Sequence, residues 1–277
     1  MVKKGSIYTQ VVVPLLAEFT AQFIHTLWGV MASGPAIIET NSTDVGENSL
    51  CSSNDQYFLG VFVPALQAGL SVWMQIVVFW KISVVHFNPA ISMGFLVSGD
   101  LKPIMFIPYV AIQCLASTFA AFLAKGIMGK NPSVIAVPDD VSSMSVFLNE
   151  AAMTGILVFF AVAMVVDKSY DQATGPLAIG LTVFQGILSA KWVGAACISP
   201  SRAFGPALVT GGAAWNRHWL LWLSDLTGAA IASAYFMFFF APPNKSWSVW
   251  LRKRTSKKPR DTVDNKESAC MVETDLS

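Results

Sequence analysis

The sequence predicts an all-α membrane protein of six transmembrane helices and two re-entrant half-helices, arranged as an inverted repeat. Three observations predict it. Of 277 residues, 54% are hydrophobic and 13% charged, about half the charged share of an ordinary soluble domain, and mean hydropathy is +0.54. Apolar runs of roughly 20 residues recur, the length that crosses a bilayer. Two shorter apolar segments each open on a proline-centred tripeptide, Asn88-Pro89-Ala90 and Ser199-Pro200-Ser201.

Residues 1–10 read as a polar terminus carrying Lys3 and Lys4. The first span, 11–33, is too long for a removable secretory signal and lacks its cleavage context. The loop 38–56 holds Glu39, Asp44, Glu47 and Asp55 and neither Lys nor Arg. The second span is 57–80. The stretch His86-Phe87-Asn88-Pro89-Ala90-Ile91-Ser92 follows and opens the first half-span, 88–98. Proline is tolerated in a first helical turn, where its missing N–H has no partner anyway, and Asn before it is a good N-cap. A helix therefore starts at membrane depth, its positive end and free amides directed at the bilayer middle. Irregular backbone is tolerated there only when buried in protein or lining a watery cavity, so the motif points to a central pore. The third span, 103–125, completes a first half, 11–125. The second half, 145–240, holds spans 145–166, 174–190 and 217–240 and the half-span 200–212. A tail, 241–277, follows the domain 11–240, and its polar composition predicts disorder.

The halves repeat weakly. Gly69-Leu70 stands as far ahead of Asn88 as Gly180-Leu181 stands ahead of Ser199. Three spans per half is an odd number, so the second half inserts upside down, and such repeats put the working site near the midplane. Glu18 lies in the first span and Glu150 near the start of the fourth. An acid inside a span is functional by default. Either the two carboxylates support the irregular loops by accepting backbone hydrogen bonds, or they touch a solute.

The charge distribution orients the chain. Lys3 and Lys4 at one end, and Arg252, Lys253, Arg254, Lys257, Lys258 and Arg260 at the other, place both termini in the cytosol by the positive-inside rule. The sequon Asn41-Ser42-Thr43 then falls outside, where it is open to glycosylation or goes unused. Cys51, Cys114, Cys197 and Cys270 make no disulfide framework, and Cys114 reads as a small core hydrophobe.

The segment His86–Ser92, together with Ser199-Pro200-Ser201-Arg202-Ala203-Phe204-Gly205-Pro206-Ala207 at matching spacing, resembles the aquaporin (major intrinsic protein) family over roughly residues 11–240. The string Arg202–Ala207 and Pro64-Ala65-Leu66 are similar to its aquaporin-8-like branch. The resemblance implies a passive channel for water and small neutral solutes, including ammonia or hydrogen peroxide. It also implies a homotetramer with one pore per subunit, no cofactor, no metal and no nucleic-acid partner. Asn88, Pro89, Ala90, Ser199, Pro200 and Ser201 then form the pore midplane, and Ala68, Ile187, Ala196 and Arg202 its outer constriction. Arg202 supplies donors and a permanent charge there. Water-selective members carry an aromatic and a His in the constriction and this chain carries neither, so it should be wider and less polar. Ser199 departs from the family's second Asn. It is a competent N-cap, but its hydroxyl is shorter and less directional than an amide. Glycerol-conducting relatives carry Asp where Ala203 stands, and Trp222 looks like the water-type pattern. A glycerol and urea channel, or a non-conducting structural or adhesion member, is the alternative. The expected location is the plasma membrane, with an intracellular membrane as the other choice.

Several residues carry two readings. Arg202 is a pore residue or a helix-terminus arginine. His86 is a loop anchor or, because histidine titrates near physiological pH, an acid gate. Cys197 is a mercury-sensitive pore thiol or a buried inert one. Trp80, Trp192, Trp215, Trp219, Trp247 and Trp250 fall near span ends and read as interfacial anchors. The run 252–260 reads as a stop signal in contact with lipid heads, with Thr255 and Ser256 open to phosphorylation. A secondary transporter would need an ion site at the midplane, where only Glu18 and Glu150 are on offer. The sequence holds no metal-ligand, nucleophile–base or phosphate-loop motif, so an enzyme is not expected.

Overall fold

The computed structural model describes residues 6–33, 58–169, 174–190, 193, 195–249 and 251. Lys3, Lys4, the acidic loop 38–56 with Asn41 and Cys51, Trp192, Trp250, the basic run 252–260 with Thr255 and Ser256, and Cys270 lie outside the described residues.

Every regular element among the described residues is helical. In chain order these are α1 (Val13–Ala32), α2 (Val63–Phe79), α3 (Pro89–Ser98), α4 (Pro103–Met128), α5 (Ser143–Val166), α6 (Gly175–Ala190), α7 (Pro200–Thr210) and α8 (His218–Phe239). π-helical turns at Tyr8–Val12 and Phe58–Phe62 lead into α1 and α2. Five stretches, Tyr8–Ala32, Gly60–Phe79, Pro103–Met128, Ser143–Val166 and Gly212–Phe239, are long and apolar enough to cross a bilayer. α6 has 16 residues, about 24 Å of helix against a hydrocarbon layer of ~30 Å. A span this short is accommodated by local thinning of the lipid or by its flanking residues. α3 and α7, with 10 and 11 residues, rise about 15–17 Å, half the layer.

The element limits depart from expectation by a few residues. α4 runs to Met128, because nothing breaks it before Gly129, whose φ of 66° ends the helix. α7 stops at Thr210, where Gly211 and Gly212 take φ of 72° and 57° and turn the chain into a short 3-10 turn, Gly212–Trp215.

Small residues set the packing. A Cβ on Gly69 would stand 2.7 Å from the Gly180 carbonyl oxygen, and one on Gly180 would stand 2.5 Å from that of Gly69. The repeat pair found in the sequence is therefore the point where α2 and α6 touch backbone to backbone, as small residues permit in membranes. Gly94 and Gly205 hold equivalent places in the two half-helices. A Cβ would collide with Val158 of α5 at the first and with Ser117 of α4 at the second. Gly228 of α8 leaves the same kind of room for Ala151 of α5.

The outer surface is apolar. Ile104, Ile107, Ile231 and Phe239 are 65% or more exposed, as a lipid-facing surface requires. Polar side chains lie inside instead, among them Glu18, Gln22, Gln113, Glu150 and Asp225, all fully buried.

Candidate functional site

The two half-helices begin alike. Phe87 and Ile198, the residues just before Asn88 and Ser199, have φ of 34° and 52°. That left-handed backbone costs a bulky residue about 1–3 kcal/mol and persists only where the surroundings hold it. Two buried acids do the holding. Glu18 accepts from the backbone amide of His86 at 2.6 Å and of Phe87 at 2.7 Å, and the Gln113 side-chain amide donates to it at 2.8 Å. Glu150 accepts from the amides of Cys197 and Ile198 at 3.0 and 3.1 Å, and neighbouring Asn149 donates to the Ala195 carbonyl at 3.3 Å.

Asn88 caps α3: its Oδ1 accepts from the Ala90 amide at 2.8 Å. Its Nδ2 donates to the Ile198 carbonyl at 2.7 Å, tying one half-helix to the approach of the other. One of its two amide hydrogens is thereby taken from any solute. Ser199 corrects an expectation, because its hydroxyl does not cap α7. It lies 3.5 Å from the Ser201 hydroxyl instead. The helix starts without it, because Pro200 fixes φ and the Ser199 carbonyl accepts from the amides of Arg202 and Ala203 at 3.0 and 3.3 Å. Ser201 donates to Gln22 at 3.1 Å, the start of a buried chain through Thr26 to Ser117.

A single cavity of about 460 Å³ runs past both of these junctions, from Ser33 and Pro64 at one end to Trp80 and Val165 at the other. Asn88, Ser199 and His86 line it, and so do all four of Ala68, Ile187, Ala196 and Arg202. Pro89, Ala90, Pro200 and Ser201 are buried behind the wall, as are Glu18 and Glu150. Arg202 lies against the bare backbone of Gly29, where a Cβ would come within 2.7 Å of its Nε. Its guanidinium makes no hydrogen bond among the described residues, and Nη1 is buried without a partner. Val134, Ile135 and Ala136 of the α4–α5 connection also line the cavity. Arg217 pins that connection by donating to the carbonyls of Pro138 and, at 2.8 Å, Val141.

The His86 ring is held in the wall, with Nδ1 3.1 Å from the Ser92 hydroxyl and the ring stacked on Phe95 and tilted against Tyr109. Cys197 lines the cavity yet is 4% exposed. Trp80, at the end of α2, lines the cavity too. Trp219, 61% exposed, has the surroundings of an interfacial anchor. Trp222 stays out of the lumen, edge-on to Phe204, with its indole N–H 3.3 Å from His218.

Several polar residues in spans escaped sequence reasoning, Gln22 and Gln113 among them. His25 of α1 lines the cavity. Asp225 of α8 is fully buried, and Thr154 donates to it at 2.8 Å. The ligand-capable atoms of Asp225, Glu150 and Cys197 lie within 4.8 Å of one another, so the second acid backs the same loop that Glu150 holds. His25 stands beside Thr26 and on the same face as Glu18 and Gln22, and Asp225 stands beside Ser224, all of them buried. That spacing marks an inward face, but not what each side chain on it meets.

Five helices long enough to cross a bilayer, the shorter α6 and two half-helices, meeting at a cavity that passes both half-helix starts, define a polytopic membrane channel. The model of the Major intrinsic protein family matches residues 9–236, and the chain belongs to that family of channels for water and small solutes. It is 32% identical over 228 residues to aquaporin TIP4-1 of Zea mays, covering 82% of this chain and 85% of the relative. It is 32% identical over 187 residues to aquaporin-8 of Notomys alexis, covering 65% and 71%. Its fold is similar to the X-ray structure of the aquaglyceroporin from Plasmodium falciparum, with a TM-score of 0.63, 19% identity, and 81% of this chain and 95% of that one covered.

Proposed function

We propose that the cavity is a conduction path for single-file water and small neutral solutes, with ammonia and hydrogen peroxide among them. Asn88 and Ser199 act at its midplane, and Ala68, Ile187, Ala196 and Arg202 form its outer constriction. The observation that carries this reading is the continuity of one cavity past both half-helix starts. Two positive helix ends there repel cations, hydronium included. Arg202 lines the same cavity and brings a permanent positive charge and guanidinium donors to the constriction. Pro89, Ala90, Pro200 and Ser201 shape the midplane from behind. Glu18 and Glu150 hold the loops from behind the wall, and His86 supports the first loop from its place in the wall.

On this reading the termini 1–10 and 241–277 are cytosolic, the protein sits in the plasma membrane as a homotetramer, and the lipid-side apolar residues are shared between bilayer and neighbouring subunits. Stopped-flow measurement on purified protein in proteoliposomes tests the proposal. Water flux above the lipid background, with a low activation energy and no saturation, supports a channel. Saturable flux points to a transporter. Absent flux in well-folded protein points to a structural member of the family. A glycerol or urea rate rivalling that of water favours the aquaglyceroporin-like alternative, which the small side chains at Ala68 and Ala196 leave open.

A further inference from the structure

The outer constriction offers one polar side chain, Arg202, among Ala68, Ile187 and Ala196. One helical turn along α1 from Gly29, the glycine against which Arg202 lies, stands His25. Its ring is 7% exposed and lines the same cavity. On its other side the ring meets Phe87, centroids 5.6 Å apart, the residue that leads into Asn88. His25 therefore lies between the constriction and the midplane.

The hydrogen bonds behind it engage one ring nitrogen. Gln75 Nε2 lies 2.8 Å from the Ser71 hydroxyl, and that hydroxyl lies 3.3 Å from His25 Nδ1, within reach to donate to it or accept from it. Nε2 has no partner among the described residues, and it is not one of the atoms sealed from solvent without one. It is the ring nitrogen left to the lumen.

We infer that His25, with Nδ1 accepting from Ser71 and its hydrogen on Nε2, is a fifth selectivity residue, which sets a second polar constriction one turn inward of Arg202 and favours small solutes that accept a hydrogen bond, of the size of water and ammonia, over urea and glycerol. Ser71 is its positioning residue. The inference rests on reading the cavity as the conduction path. It also changes what the missing filter histidine means: the imidazole is supplied from α1 at a different depth.

Permeabilities of wild type, His25→Ala, His25→Phe, His25→Gln and Ser71→Ala to water, ammonia, urea and glycerol, measured in proteoliposomes, test it. Monodispersity by size exclusion serves as the folding check. His25→Ala, which removes both bulk and donor, is expected to raise the urea-to-water ratio about tenfold. His25→Phe keeps the bulk and loses the donor, so water and ammonia should fall about fivefold, the worth of one hydrogen bond, with no gain in urea. His25→Gln, which keeps a donor, should recover most of the water flux, and Ser71→Ala should move the same way as His25→Phe by a smaller factor. Solute ratios that match wild type in all variants, or equal losses for every solute, overturn the role of His25 while leaving the channel intact. No flux through wild-type protein would instead remove the conduction path itself.

Discussion

At the scale of single residues, buried polar atoms do most of the specifying. Glu18 satisfies two backbone amides that would otherwise point into an apolar interior. Leaving a buried donor unmet costs about 1–3 kcal/mol. Glu18→Gln preserves the volume but presents an NH2 group where an oxygen is needed. It should lower stability by about 2 kcal/mol, read as a drop in the thermal unfolding midpoint in detergent. An unchanged midpoint would show that the loop is held by other contacts. Ala68 is 8% exposed in the cavity wall, so Ala68→His puts an imidazole into the space facing Arg202. Urea and glycerol fluxes should fall more than water flux in proteoliposomes. Equal losses for all solutes would count against Ala68 as a constriction residue.

At the scale of elements, the half-helices depend on close seating. Gly94→Val would drive a branched side chain into Val158 of α5, and overpacking of this kind costs about 1–3 kcal/mol. The expected result is a poorly dispersed or less stable protein, with Gly205→Val behaving in the same way against Ser117. Wild-type yield and melting of both variants would mean that the half-helices have slack. The elements were also the most legible part of the sequence. Asn88-Pro89 and Ser199-Pro200 announce helix starts because proline and a small polar residue have few other uses inside an apolar run. Gly69 and Gly180 marked the repeat and proved to be its contact point. The failures have one physical source. The Ser199 hydroxyl and the roles of His25 and Asp225 all depend on which way a side chain faces. Polar residues at helical spacing, such as Glu18, Gln22 and His25 of α1, mark the inward face of a span, but they do not say which neighbour each side chain meets.

At the scale of the whole molecule, the inverted repeat is near-symmetric in backbone and asymmetric in chemistry. Each half has an acid that holds a left-handed residue, a proline-started half-helix and a glycine that seats it. The first acid is joined by an amide, Gln113, and the second has another acid, Asp225, beside it. The centre is closed by Asn88 reaching the Ile198 carbonyl across 110 positions of chain. That reach imposes a timetable on biosynthesis. A ribosome takes roughly 5–20 s to make 110 residues. For that interval the nascent first half waits in the bilayer with its carboxamide ungripped. The clasp shuts only when the late-arriving segment threads in from the opposite face. A chain stopped after residue 144 should stay bound to the insertion machinery or be degraded. Supplying residues 145–277 as a separate polypeptide should rescue it, and co-purification of the two fragments is the measurement that decides.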